Sequence, residues 1–256
     1  MVQNIILDSH AHVDVVPALG WYDTADKLIK LMDQAGISMA VISGYLNSPG
    51  PEPDNLRVIG EAVEKYPKRL IGYARLDPWF DEECIRTLEE SVRNYKIRGV
   101  KLHPAHYTLY PFGPLTVKLA QRAGELGLPV LFHCGDEMMC LPYQIDRLAA
   151  QAPDTKIILA HIGGFFSNDS ALEVAARRSN VWVDTSEIPF PNMVRKAVDR
   201  LGAEKVLFGS DAPCCDIRLE ILKVELAGLS LEQEQLVMWK NYAQMMGIDT
   251  EELKCE

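Results

Sequence analysis

The feature that most constrains this chain is a regular alternation between short apolar runs and amphipathic stretches. Eight runs rich in Val, Ile and Leu recur along it: NIILDSH, ISMAVISG, RLIGYARLD, IRGVKLHP, LPVLFHCG, KIILAHIGG, VWVDTSE and VLFGSDAP. Such runs, with little polar alternation before their last residues, are typical of parallel strands that are covered by helices. The chain is therefore expected to build a largely parallel sheet.

The segments between these runs are predicted to be helices. DTADKLIKLMDQAG offers a capping Asp or Thr and stops at Gly36, and DNLRVIGEAVEKYP ends at Pro67. Strand followed by helix, eight times in about 250 residues, predicts an α/β protein with the (β/α)8 TIM-barrel fold and an additional C-terminal helix. An eight-stranded doubly wound sheet is the alternative that the alternation alone leaves open.

Composition bounds the class of protein. With 48% hydrophobic and 24% charged residues and no linker-like stretch, residues 1–256 are predicted to form a single domain. A net charge of −10 argues against a general nucleic-acid-binding surface. The sequence shows neither a membrane-spanning run nor a secretory leader, and its six cysteines lack CxxC spacing. We therefore expect a cytoplasmic protein that acts on a small-molecule substrate, without nucleic acid or membrane as partners; a homodimer is left open.

The first apolar run ends in two histidines, His10 and His12, that are one residue apart. In a strand, residues i and i+2 share one face, roughly 6.6 Å apart between Cα atoms. Two imidazoles at that spacing can converge on one metal ion, although a chance pair of surface histidines would look the same. The pair alone does not decide between them.

Other polar residues also fall where strands end, which is the face on which barrel enzymes build their active sites. Five of the six histidines are predicted at such ends. The strand-end set is His10, His12, Lys101, His103, His133, His161 and Asp211. Any one of them alone would be an ordinary hydrogen-bonded residue. Together, His10, His12, His133 and Asp211 would fit a three-histidine, one-aspartate metal site with an open position.

These residues carry a family resemblance. The motifs DSHAH, GYARLDP, GVKLHP, FHCG, LAHIGG and FGSDAP resemble those of the amidohydrolase superfamily, in particular of its aminocarboxymuconate-semialdehyde decarboxylase group, from Ile5 to Pro213. The resemblance implies one divalent metal ion, usually zinc, and implies that His161 acts beside the metal rather than always on it. The implied metal ligands are His10, His12, His133 and Asp211. The related TatD-like deoxyribonucleases place a glutamate on the fourth strand, where this chain has RGVKLHP, so that activity is disfavoured.

Such a site suggests catalytic roles for two residues. A bound metal lowers the pKa of water toward ~7 and polarises a carbonyl. Asp211 is predicted to accept the proton from the water and return it to the leaving group. His161 is predicted to hydrogen-bond the water or the developing oxyanion.

Three further residues are predicted to bind substrate: Arg75, Lys101 and His103. Arg75 could hold a substrate carboxylate, or could buttress the fold through Asp77 or a loop carbonyl. Lys101 resembles the carboxylated lysine that bridges two metals in dihydroorotases, and its alternative is an ion pair with an interior acid such as Asp8.

Two reaction classes remain open. The first is a metal-dependent hydrolase that cleaves a C–N or C–O bond, in an amide or lactone, of a small anionic molecule. The alternative is a metal-dependent decarboxylase or hydratase, a lyase, on a small carboxylic acid. Because decarboxylases of the resembled group usually carry longer loops, the compact loops here favour hydrolysis. A barrel that only binds is disfavoured, because no ligand position is missing.

Overall fold

In a computed structural model, which describes residues 5–16, 20–45 and 54–249, eight parallel strands follow one another in sequence order around a barrel. The barrel strands are β1 Leu7–His12, β4 Met39–Ser43, β5 Leu70–Arg75, β6 Gly99–Leu102, β7 Val130–Phe132, β8 Ile157–Leu159, β9 Val181–Asp184 and β10 Val206–Leu207. The predicted (β/α)8 TIM barrel is confirmed, since a doubly wound sheet would not keep sequence order.

Hydrogen bonds join the two ends of the sheet. Ser9 N donates to Phe208 O at 2.9 Å, and His12 N donates to Ala212 O at 2.7 Å. These bonds place the first strand beside the segment that follows β10. The barrel is thereby nearly closed, and the histidines of β1 lie next to the FGSDAP segment.

Helices cover the outside of the barrel. Thr24 caps the first of them by accepting a hydrogen bond from Lys27 N, and Gly36, at φ 76°, ends it. The helices are α1 Ala25–Ala35, α2 Asp54–Lys65, α3 Asp81–Tyr95, α4 Pro104–Tyr107, α5 Pro114–Glu125, α6 Pro142–Ala149, α7 Asn168–Arg177, α8 Pro191–Leu201, α9 Ile217–Glu225, α10 Leu231–Gln235 and α11 Asn241–Met246. The predicted C-terminal helix is present as α10 and α11, which a π-helical turn at Leu236–Lys240 joins.

The C-terminal helix closes the end of the barrel where the strands begin. Tyr242 in α11 lies in the inner core with Tyr73, and the two phenol oxygens are 2.8 Å apart. Arg98 and Lys156, each just before a strand, donate to backbone carbonyls of α11. This end is therefore covered, and the carboxyl ends of the parallel strands, with their polar residues, lie at the opposite mouth.

A short hairpin that the sequence did not predict lies after β1. It pairs β2 Asp14–Val16 with β3 Trp21–Asp23 in antiparallel fashion. Strands of three residues give too little alternation to be recognised in sequence. No helix in the described ranges has both the length and the apolar character needed to cross a membrane.

Candidate metal centre

All six histidines of the protein lie in one continuous line of ring contacts across the mouth of the barrel. The ring-centroid distances are 5.1 Å for His10–His12, 5.2 Å for His10–His161, 4.8 Å for His161–His133, 4.0 Å for His133–His103 and 3.7 Å for His103–His106. His106, which lies in α4 rather than at a strand end, joins this line through its contact with His103.

Three donors converge at one end of this line. Asp211 Oδ1 lies 3.1 Å from His10 Nε2 and 3.0 Å from His12 Nε2. The three residues are buried, and one ligand atom from each lies within 4.8 Å of the others. Two imidazole nitrogens and a carboxylate oxygen at these separations can share one cation at bond lengths of ~2.0–2.2 Å.

Asp184, the last residue of β9, prepares His10 for that role and was missed in the sequence. Its Oδ2 lies 3.1 Å from His10 Nδ1, and its Oδ1 accepts a hydrogen bond from His161 N at 3.0 Å. A carboxylate on Nδ1 fixes the proton there and leaves the Nε2 lone pair for a metal. The rule applied to the other strands would have found it, because VWVD also ends in a polar residue.

The protonation states suit metal binding. Burial lowers the pKa of His12 to about 4 and that of His161 well below its ordinary value, so both rings are neutral at neutral pH. Burial alone would raise the pKa of Asp211, but His10 and His12 hold it well below its ordinary value. Neutral imidazoles beside an ionised carboxylate are the forms that ligate divalent cations. The donor set fits such a cation.

The backbone is strained where the site is built. Asp211 has φ 55° and His161 has φ 61°, in the left-handed region that side chains other than glycine rarely adopt. Gly209 provides the necessary room, since a Cβ there would lie 3.1 Å from His10 Cβ and 3.2 Å from Asp184 Cγ. A side chain at this position would therefore push His10 or Asp184 by a few tenths of an ångström, which favours the glycine of FGSDAP beneath the donors.

Lys101 lies inside the site rather than at its edge. Its Nζ is in hydrogen-bond contact with His10 Nε2, and burial lowers its pKa to about 8. Asp8, the alternative partner considered above, instead accepts hydrogen bonds from Ser210 N at 2.9 Å and His10 N at 3.0 Å. The bond from Ser210 ties β1 to the FGSDAP segment, and Lys101 lies beside the three donors without Asp8 as its partner.

His133, the fourth predicted ligand, lies one ring away from them. Its Nδ1 is 3.1 Å from His161 Nε2, and its Nε2 is 3.2 Å from Glu137 Oε2. His161 is the nearer ring to His10, and its Nδ1 lies 2.9 Å from Ser186 Oγ. Ligation by His133 stays a prediction.

Arg75 lies in the wall of the site. Its guanidinium donates to the carbonyl of Gly44 at 3.1 Å and to that of Tyr45, and its Nη2 lies 2.8 Å from His106 Nδ1. These contacts correspond to the buttressing alternative. Tyr45 in turn lies edge-on to the His12 ring and stacks on Trp21 at 4.5 Å between centroids, so the hairpin covers this side of the site.

A protein-family model described as Amidohydrolase matches residues 8–247. The resemblance drawn from the sequence motifs is confirmed at the level of the family. No curated protein matches the chain significantly.

Several solved structures share the fold. One is a 5-carboxyvanillate decarboxylase from Sphingomonas paucimobilis, with 14% identity, TM-score 0.75, and 96% of this chain and 100% of that chain covered. Another is a dihydroxybenzoic acid decarboxylase from Polaromonas with manganese and 2-nitroresorcinol bound, with 18% identity, TM-score 0.73 and 100% of both chains covered. A third is a probable 2-pyrone-4,6-dicarboxylic acid hydrolase from Acinetobacter baumannii with citric acid bound, with 17% identity, TM-score 0.71, and 95% and 99% covered. At such identities the likeness is one of fold.

Proposed function

The chain belongs to the amidohydrolase family, and from this premise we propose that it is a metal-dependent hydrolase of a small anionic molecule. The bond cleaved would be a C–N or C–O bond, in an amide or a lactone. The observation that carries the proposal is the convergence of His10 Nε2, His12 Nε2 and Asp211 Oδ1 at the mouth of the barrel. Enzymes of this family use a divalent metal, and this donor set would hold it.

A divalent cation, when bound, would supply Lewis-acid polarisation of the scissile carbonyl and make water more acidic. Asp211 would accept the proton of the attacking water and pass it to the leaving group. His161 is neutral and its Nδ1 is held by Ser186, so in the tautomer with the proton on Nε2 it would donate from Nε2 to the developing oxyanion in place of its contact with His133. Asp184 would keep the His10 ring in the required tautomer and orientation.

The anionic character of the substrate is inferred from Lys101. Its buried ammonium lies beside His10, with the negative charges of Asp211, Asp184 and Glu187 around it. With a divalent cation bound, the charges of Asp211 and Asp184 would be offset, and Lys101 would present a poorly hydrated positive charge to a substrate carboxylate. The three structurally similar proteins described above are named for small carboxylic acids. Their names therefore support an anionic substrate here. Carboxylation of Lys101 to bridge two metals remains a prediction.

Decarboxylation is the second candidate. It is favoured by the names of the structural neighbours, two of which are decarboxylases of aromatic acids. Lys101 would hold the aromatic carboxylate beside the cation, and Asp211, once it has taken a proton from water, would pass that proton to the ring carbon as the C–C bond breaks and carbon dioxide leaves. Zinc is proposed as the metal, and the manganese in one neighbour makes manganese the ion to compare with it.

One assay separates the two candidates. Protein reconstituted with zinc or with manganese would be offered lactones, amides and aromatic acids, with both carbon dioxide release and ring or amide opening recorded. The proposal expects opening without carbon dioxide, and expects His12→Ala to abolish it. Release of carbon dioxide would contradict the hydrolase proposal and would support decarboxylation instead. Turnover that is equal in His12→Ala and in the unmodified protein would contradict both candidates.

A further inference from the structure

A second group of unlike donors lies at the other end of the histidine line. It consists of His103 after β6 and of Glu137 and Cys140 in the loop after β7. His103 Nε2 lies 3.4 Å from Glu137 Oε2, and His103 Nδ1 lies 3.9 Å from Cys140 Sγ. One ion can bind only one of these two ring nitrogens, and one ligand atom from each of the three residues lies within 4.8 Å of the others.

We propose that His103, Glu137 and Cys140 form a second divalent-cation site, suited to a thiophilic ion such as zinc or cobalt. It shares no ligand with the group of His10, His12 and Asp211. A thiolate, an imidazole and a carboxylate are together a set that zinc accepts in tetrahedral sites with a fourth position open. Glu137 Oε2 is also 3.2 Å from Nε2 of His133, the fourth predicted ligand of the first site, so Cys140 is the donor whose substitution reports on the second site alone.

The His103 ring is held in place before any ion binds. It is stacked between His106, at 3.7 Å and 11°, and His133, at 4.0 Å and 7°. The residue is buried, and the two stacked rings restrict its rotation. A ring that is already fixed loses little entropy on ligation.

The loop that carries the other two donors is folded on itself. Cys140 N donates to Glu137 O at 3.0 Å, and Gly135 N donates to Cys140 O at 3.2 Å. Met139, between the donors, has φ 74°, a conformation that is costly for a residue with a side chain. This turn brings Glu137 and Cys140 to the same ring, which an extended loop would not do.

The pairing of a buried thiol with a partly exposed carboxylate gives the ion a route of entry. Cys140 is fully buried, whereas the Glu137 side chain is 52% exposed. Glu137 can therefore meet a hydrated cation at the surface and deliver it to the thiol, whose proton is displaced on binding. Occupation would add positive charge to the barrel mouth beside His133, where an anionic substrate would approach.

Cobalt absorption tests the site directly, because the first group of donors contains no sulfur. Metal-free protein would be titrated with cobalt(II) under reducing conditions while near-ultraviolet thiolate-to-cobalt charge transfer is recorded. We expect the charge-transfer band to account for about one equivalent of cobalt, because only the second site contains a thiolate. Cobalt at the first site should bind without adding to the band. Cys140→Ser should lose both the band and that equivalent, and His10→Ala should keep the band.

Two further variants show whether the band arises from Cys140 and whether Glu137 is a ligand. Cys214→Ser removes the exposed thiol that lies closest to the Tyr45 side of the first site, and the band should persist. Glu137→Ala alters a half-exposed side chain, so folding is preserved, and it should weaken the cobalt equivalent that carries the band at least tenfold. Absence of the band at saturating cobalt, or its survival in Cys140→Ser, would overturn the proposal.

Discussion

Asp184 determines how His10 can act. An imidazole whose Nδ1 faces a carboxylate presents its Nε2 lone pair outward, and His10 Nε2 faces Asp211. The i, i+2 spacing predicts that His10 and His12 share one face of a strand. In the structure, Nε2 of each ring faces Asp211 Oδ1. Asp184 and Ser186 lie in VWVDTSE, a run without histidine, so the histidine pattern gives no signal for them.

Substitution of Asp184 should weaken metal binding without removing a ligand. Asp184→Asn loses the charge that orients His10, and zinc affinity should fall about 10–100-fold. Competition with a chromophoric chelator measures this, in a Cys140→Ser background that isolates the first site. Ser43→Ala, which removes the weaker 3.3 Å contact to His12 Nδ1, is the matched control and should change affinity less. An unchanged affinity in Asp184→Asn would mean that Asp184 only packs.

At the scale of elements, the periodicity of the sequence was sufficient for the eight strands and for most helices. It was not sufficient for the hairpin β2–β3, nor for the turn at Ala160–Gly163, where His161 and Ile162 have positive φ. This backbone conformation is set by tertiary contacts rather than by local propensity. Here the contact is the hydrogen bond that His161 N donates to Asp184 Oδ1. Placement of the site depends on these irregular elements as much as on the strands.

An ion-pair cluster joins two of the outer helices. Asp146 in α6 lies 2.8 Å from Arg178 Nε and 2.7 Å from Arg177 Nη2, with its side chain only 11% exposed. Burial alone would raise the pKa of Asp146, but the two arginines outweigh it and hold the pKa below its ordinary value of 3.8. A carboxyl group whose pKa is lowered in the folded state stabilises the fold at any pH above its ordinary pKa. This contribution is lost as the pH falls through the folded-state pKa.

Asp146→Asn should therefore lower the free energy of unfolding by about 1–2 kcal/mol at neutral pH, between the values for exposed and buried pairs. The difference from the unmodified protein should be constant above roughly pH 5 and shrink below pH 4. Urea unfolding of metal-free protein across this range measures it. Asp169→Asn breaks a similar pair of contacts, to Lys196 and Arg200, on a side chain that is 70% exposed, and should have little effect. A pH-independent difference for Asp146→Asn would indicate lost packing instead.

For the whole molecule, the alternation of strands and helices predicted which residues meet, because a barrel brings every strand end to one mouth. It could not predict side-chain rotamers, so the partners of Lys101, Arg75 and His133 became known only from packing.

Burial of Asp211 and Asp184 leaves two carboxylates at the mouth whose charges a cation would offset.

A cation that binds only the folded protein should stabilise the whole barrel. At a free concentration about 100 times its dissociation constant, the gain is ~2.7 kcal/mol, or roughly 5–10 °C for a chain of this size. Thermal unfolding of the Cys140→Ser protein with zinc or manganese against chelator measures the shift, and His12→Ala in the same background should lose most of it. Identical melting curves with and without metal would speak against a cation at these donors.

The most direct test of the central claim is the metal content of four proteins prepared alike in the Cys140→Ser background and dialysed against metal-free buffer. The parent should retain about one equivalent of divalent metal, and His10→Ala should retain almost none. Asp211→Asn keeps a coordinating oxygen and should retain most of its metal, as should His161→Ala. If His161→Ala is emptied as completely as His10→Ala, then His161 is a ligand and the assignment of roles is wrong. If the parent itself retains no metal after reconstitution, the metal centre does not exist.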